Sequence, residues 1–126
     1  MKLTVSKALA LLSATAATAS ALAEVSIDFY LNNNTCSSAK ATTYTLLEGA
    51  CLGIEGWPWQ SLAPYLSNSA CSDANKSPVL YTWTTYNEQD YDNCGADLYA
   101  TYDVTDEAIC YAVDAEYLQR LQVKCE

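Results

Sequence analysis

Apolar and polar residues alternate in short runs along most of this chain. Val25, Ile27 and Phe29 are interleaved with Ser26, Asp28 and Tyr30, and Val79, Tyr81 and Trp83 recur at the same two-residue spacing. A period of two puts one set of side chains on a core and the other toward water, so both segments read as β-strands with the named apolar residues facing inward. Thr42-Thr43-Tyr44-Thr45-Leu46 and Leu98-Tyr99-Ala100-Thr101-Tyr102 are rich in β-formers, and Glu48-Gly49 ends the first of them. Asn32-Asn33-Asn34 and Asp92-Asn93 with Gly95 are turn-formers that tolerate positive φ.

The two sets of elements line up with each other. At an offset of 59, the segment Cys51 to Leu62 lies over Cys110 to Leu121 without a gap: the cysteines, Gln60 and Gln119, and Leu62 and Leu121 coincide, and Ile54 falls on Val113. Closing the offset by one residue brings Cys36 onto Cys94 and Thr43-Tyr44 onto Thr101-Tyr102. The chain therefore reads as two copies of one unit, about 24–71 and 78–125, within one domain. Residues 106–121 also carry a helical spacing at Ala108, Tyr111, Ala112 and Ala115, but their counterpart at 47–62 contains Gly49, Gly53, Gly56 and Pro58, which break helices. Leu118 to Cys125 is accordingly expected to be a closing strand, with Leu121 and Val123 inward.

A different pattern opens the chain. Lys2 and Lys7 precede an apolar run from Ala8 to Ala19 that ends in Ala21-Leu22-Ala23. This is the layout of a signal peptide over residues 1–23, with cleavage before Glu24 and a single secreted domain at 24–126. No second stretch approaches membrane-spanning length, so no membrane insertion is expected. All six cysteines, Cys36, Cys51, Cys71, Cys94, Cys110 and Cys125, follow that segment, and an oxidising export route favours three disulfides. Each half holds three cysteines, so at least one bridge crosses between the halves. Among the fifteen pairings, Cys36 with Cys51, Cys94 with Cys110, and Cys71 with Cys125 is the expected one. Asn33-Asn34-Thr35 and Asn75-Lys76-Ser77 are candidate N-glycosylation acceptors at Asn33 and Asn75.

Composition removes several classes of function. Six Lys and Arg against fifteen Asp and Glu give a formal charge of −9, which opposes binding to nucleic acid. The chain has no histidine, so histidine-based acid–base or nucleophilic catalysis and the usual zinc ligand sets are excluded. No cofactor is expected.

A strand ending in aromatic residues, an Asn/Asp-rich turn into a cysteine, a Tyr-bearing strand, a small residue before a second cysteine and an apolar segment to a third resemble small secreted cysteine-rich proteins of filamentous fungi. Through them the chain resembles the βγ-crystallin-like fold and its killer-toxin-like members, over essentially all of residues 24–126. Tyr86 and Tyr91 with Gly95 approximate that family's aromatic and glycine signature, the glycine coming late. Asn33 to Ser38 has the letters of its calcium motif, yet it sits near the start of its unit with Cys36 inside it, and calcium binding is not carried over. The resemblance implies an all-β sandwich of two Greek-key units, an effector-like or toxin-like role, and no catalytic residues.

Two clusters carry candidate chemistry. Glu88, Asp90 and Asp92 recur every second residue, so on a strand their carboxylates share one face and form a candidate for calcium, with a solvated hairpin tip as the alternative. Trp57, Trp59 and Tyr65 crowd one segment around Pro58 and Pro64. At the offset of 59 the two tryptophans fall on Glu116 and Leu118, so the fold does not demand rings there, and an exposed pair of indoles would suit a carbohydrate or a protein partner. Trp83, Tyr44 and Tyr102 are expected in the core. The leading expectation is a secreted, non-enzymatic binding protein. A polysaccharide hydrolase using two carboxylates is the first alternative, because that mechanism needs no histidine. A structural or protective extracellular protein is the second.

Overall fold

The structure, a computed structural model, describes residues 22–85 and 94–126. These form eight β-strands and no helix: β1 (Glu24–Tyr30), β2 (Thr42–Leu47), β3 (Cys51–Gly53), β4 (Pro58–Leu66), β5 (Pro78–Trp83), β6 (Leu98–Asp103), β7 (Tyr111–Tyr117) and β8 (Arg120–Cys125). They make two four-stranded antiparallel sheets in the orders β2-β1-β4-β7 and β3-β8-β5-β6. Adding or subtracting four from each label turns one order into the other. Each sheet thus takes three strands from one half of the chain and a fourth, β3 or β7, from the other half. The register follows the same rule: Leu52 faces Leu121 and Gly53 faces Arg120, while Tyr111 faces Leu62 and Ala112 faces Ser61.

The core lies between the sheets. Val25, Ile27 and Phe29 from β1 meet Leu62 from β4, Leu80 from β5, Val113 from β7 and Leu121 and Val123 from β8, all fully buried. Segment 106–121 contributes β7 instead of a helix, because its inward residues seal one side of that core. On β5 the expected inward face is reversed. Leu80 and Thr82 are the buried pair, while Tyr81 and Trp83 stack on the opposite face with ring centroids 5.7 Å apart. A buried threonine is tolerated here because its hydroxyl donates to the Ala100 carbonyl at 2.8 Å. Trp83 is still covered, by the Cys94-Gly95 segment: a Cβ on Gly95 would come within 2.2 Å of the indole side chain, so only glycine fits. Tyr102 belongs to the core, and Tyr44 packs edge-on against Phe29 with centroids 5.5 Å apart.

All six cysteines are bridged, and every bridge joins the two halves: Cys36–Cys110, Cys51–Cys94 and Cys71–Cys125. The expected Cys36–Cys51 and Cys94–Cys110 pairs are therefore replaced by crossed ones, and the physical reason is the exchange of β3 and β7. Cys51 opens β3 and Cys110 immediately precedes β7, so each travels to the far sheet and meets the first cysteine of the opposite half. The surroundings match as well. The sulfur of Cys36 lies 3.6 Å from the Leu62 carbonyl oxygen, and that of Cys94 lies 3.6 Å from the Leu121 carbonyl oxygen.

Candidate binding surface

The three aromatic residues singled out in the sequence separate in space. Trp59 is not a surface residue: it is 1% exposed, and its ring lies 4.7 Å from that of Phe29. It lies three residues before the inward Leu62, off that residue's alternation, next to a break in register between Trp59 and Ser61, and its indole N–H is buried with no hydrogen-bond partner among the described residues. Tyr65, half-buried near the far end of β4, is roughly 20 Å along the strand from Trp59, with Trp57 beyond that, and shares no site with Trp57. Trp57 alone is exposed, at 50%. It precedes β4 in two successive tight turns, its own N–H donating to the Glu55 carbonyl and that of Trp59 to the Trp57 carbonyl. The indole N–H donates to Glu55 Oε2 at 2.7 Å, which ties down the ring's polar edge.

The structure places a second exposed ring beside it. Tyr117, 56% exposed, ends β7 opposite Pro58. The intervening Gly56 passes so close that a Cβ on it would lie 3.7 Å from Tyr117 Cβ and from Gln119 Cγ. Trp57 just before β4 and Tyr117 opposite Pro58 thus put two exposed rings at one end of the β4–β7 pair, with the exposed carboxylate of Glu55 held against the Trp57 indole.

One step further along the same pair, the ladder breaks. Trp59 faces Glu116 and Ser61 faces Ala112, so Gln60 alone spans Val113, Asp114 and Ala115. The surplus residues bulge outward, with Asp114 and Ala115 in the left-handed region at φ 55° and 58°. The bulge is braced from the other sheet by the Tyr99 hydroxyl, which donates to the Val113 carbonyl at 2.9 Å. Burial, and then the charges of Asp114 and Glu116, push the Tyr99 phenol above its ordinary value. Beside the bulge opens a concavity of about 320 Å³ lined by Asn34, Gln60, Asp114 and Ala115. Two amides and a carboxylate supply donors and acceptors there, on the strand pair whose end carries Trp57 and Tyr117. That combination suits a ligand with apolar faces and many hydroxyls. Sequence reasoning missed Tyr117, Gln60, Asn34 and Asp114. Only the alignment of Tyr117 with Pro58 hinted at them, because the bulge that gathers them is set by pairing between distant strands.

Other expected sites fare differently. Asn33 is a structural hub: its Oδ1 accepts from the Thr35 and Ser37 N–H groups and the Thr35 hydroxyl, and its Nδ2 donates to Ser38 Oγ. Asn75 lies exposed in a turn where its backbone N–H donates to Asp73 Oδ1, and its side chain makes no hydrogen bond among the described residues. The calcium candidates Glu88, Asp90 and Asp92 lie outside the described residues, as do Tyr86 and Tyr91. Among the described residues no group of three His, Cys, Asp or Glu side chains converges. Comparison with protein-family models, with curated proteins and with solved structures finds no match for this chain. What is established is an all-β, cysteine-rich, sandwich-like domain with three internal disulfides, a feature typical of extracellular proteins.

Proposed function

We propose that this protein is a secreted, non-enzymatic binding protein that holds an extracellular carbohydrate across the β4–β7 surface, in an effector-like or toxin-like role toward a host or competitor. The observation that carries the reading is the exposed Trp57 ring, anchored through Glu55, at the same end of the β4–β7 pair as the exposed Tyr117 and followed along β4 by Gln60 of the amide-and-carboxylate concavity. Rings stack on the C–H faces of a sugar, while Asn34, Gln60 and Asp114 exchange hydrogen bonds with its hydroxyls. Three bridges hold the supporting strands, so little ordering cost falls on the ligand. The matched strand orders and registers support a two-unit, βγ-crystallin-like Greek-key architecture as the scaffold.

The test is a glycan-array measurement on the oxidised protein, followed by titration of the best ligand. Trp57→Ala and Tyr117→Ala are expected to weaken binding about tenfold or more each, with melting temperature unchanged because neither ring is buried. Binding to no glycan, or binding indifferent to both substitutions, would overturn this surface. Release of reducing sugar from the same panel would favour the hydrolase reading instead.

A further inference from the structure

We infer that the mature chain begins at Leu22, so that the leader is cut after Ala19-Ser20-Ala21 and not after Ala21-Leu22-Ala23. This rests on the secretion reading above and asks where that processing falls. Both tripeptides carry small residues at the two positions that a signal peptidase requires, so the local sequence allows either cut. The folded domain distinguishes them, because the two residues between the cuts are built into it.

Ala23 is 0% exposed. Its carbonyl accepts the Glu48 backbone N–H at 2.9 Å, and its own N–H donates to the Glu48 side chain at Oε1, 2.8 Å away. The same carboxylate oxygen takes the Ser72 N–H at 3.3 Å, so Glu48 ties the start of the domain to the segment around Cys71. Leu22 contributes its carbonyl to the Ser69 hydroxyl, and Glu24 N–H donates to the Ser69 carbonyl at 3.1 Å. A cut after Ala23 removes both ends of the reciprocal Ala23–Glu48 pair. It also leaves the Glu48 N–H without its acceptor and empties the site of a fully buried methyl. The new ammonium would then fall on Glu24, whose nitrogen already serves the Ser69 carbonyl. A cut after Ala21 instead places the ammonium on Leu22, whose side chain is 41% exposed, and leaves every one of these bonds intact.

The experiment is intact-mass measurement and N-terminal sequencing of the full chain exported with its own leader from a eukaryotic secretion host. A terminus at Leu22 is the expected result. A terminus at Glu24 overturns this inference and leaves the secretion reading standing, whereas intracellular retention with Met1 present removes the secretion reading itself. A second measurement tests the structural premise independently of the peptidase. Mature chains starting at Leu22 and at Glu24, each produced behind a foreign leader, are compared by thermal melting. The Glu24 chain should melt about 5–10 °C lower, and Glu48→Ala in the Leu22 chain should reproduce part of that loss in stability by a separate route. Equal melting of the two chains would sink the premise.

Discussion

The sandwich has two open flanks, one between β2 and β3 and the other between β6 and β7, and they are closed in different ways. On the second flank three tyrosines interlock. Tyr102 and Tyr111 pack with centroids 4.7 Å apart, the Tyr111 hydroxyl reaches the Asp103 carbonyl at 3.3 Å, and Tyr99 holds Val113. On the first flank the register puts Leu52 where the other has Tyr111, and a concavity of about 360 Å³ remains, walled by Leu46, Leu47, Ala50 and Leu52. Strand β3 there is three residues long, against seven for β7. The same strand arrangement thus tolerates a large ring or a small aliphatic group at one position. The side that carries the rings is also the side that supports the bulge at Asp114 and Ala115.

The strongest way to break this comparison is to cut the bridges that pin the exchanged strands. Replacing both cysteines of either crossed bridge with serine should cost about 4 kcal/mol on the chain-entropy view, since the closed segments are long, with separations of 43 and 74 residues. The two losses should differ in kind. Without Cys51–Cys94 the short β3 should open locally and show early amide exchange at Leu52, while loss of Cys36–Cys110 should lower the global transition with β7 still held by its tyrosines. Equal, global loss in both variants would show that the flanks are not distinct. Next in size is Tyr111→Leu, which gives the sealed flank the residue of the open one. It should cost about 2–3 kcal/mol in chemical denaturation through the lost ring contact and the space left behind. The reverse change, Leu52→Tyr, should fall within about 1.5 kcal/mol of neutral, because room for a ring already exists.

These flanks also show how much was readable beforehand. The face of β1 was legible because Val25, Ile27 and Phe29 alternate with polar or interfacial residues. That of β5 was not, because Pro78, Leu80 and Val79, Tyr81, Trp83 put bulk at both parities, and the choice falls to Thr82 finding an acceptor on the neighbouring strand. Trp57 and Trp59 look equivalent in the sequence. They part only because the break in the β4–β7 ladder beside Trp59 accompanies its burial, against the alternation set by Leu62, while the turns before Pro58 leave Trp57 outside. The crossed bridges were hidden for the same reason: which sheet receives β3 or β7 is a long-range property that no local spacing encodes. The candidate site was legible in Trp57 and invisible in Asp114 and Ala115, since no glycine announces the left-handed pair.

Alkaline pH should act on the sealed flank before the open one. Burial is the first cause holding the Tyr102 phenol well above its ordinary value of 10.0, and Tyr99 is raised too. In the unfolded chain these groups ionise near pH 10, while in the folded chain they keep their protons to higher pH. Their contribution is therefore fully present below about pH 10 and is lost as pH rises beyond it. Melting temperature should be flat from pH 7 to 9 and fall steeply above 10. Tyr102→Phe should flatten that fall, and an unchanged alkaline slope in this variant would remove Tyr102 as its source.

The smallest effect concerns the bulge itself. A left-handed residue costs an L-amino acid about 1–2 kcal/mol, most of which a glycine does not incur, and Ala115 sits at φ 58° with its side chain exposed. Ala115→Gly should therefore stabilise the protein by up to about 1 kcal/mol, after the extra freedom of glycine in the unfolded chain takes back about 0.5–1 kcal/mol. Ala112, on the same strand in ordinary extended geometry opposite Ser61, is the internal control: glycine there should destabilise by about the amount that entropy alone dictates. Denaturant midpoints at constant slope separate the two. If both substitutions destabilise alike, the bulge is not held in the left-handed conformation in solution, and the concavity of Asn34, Gln60 and Asp114 loses the backbone step that forms it.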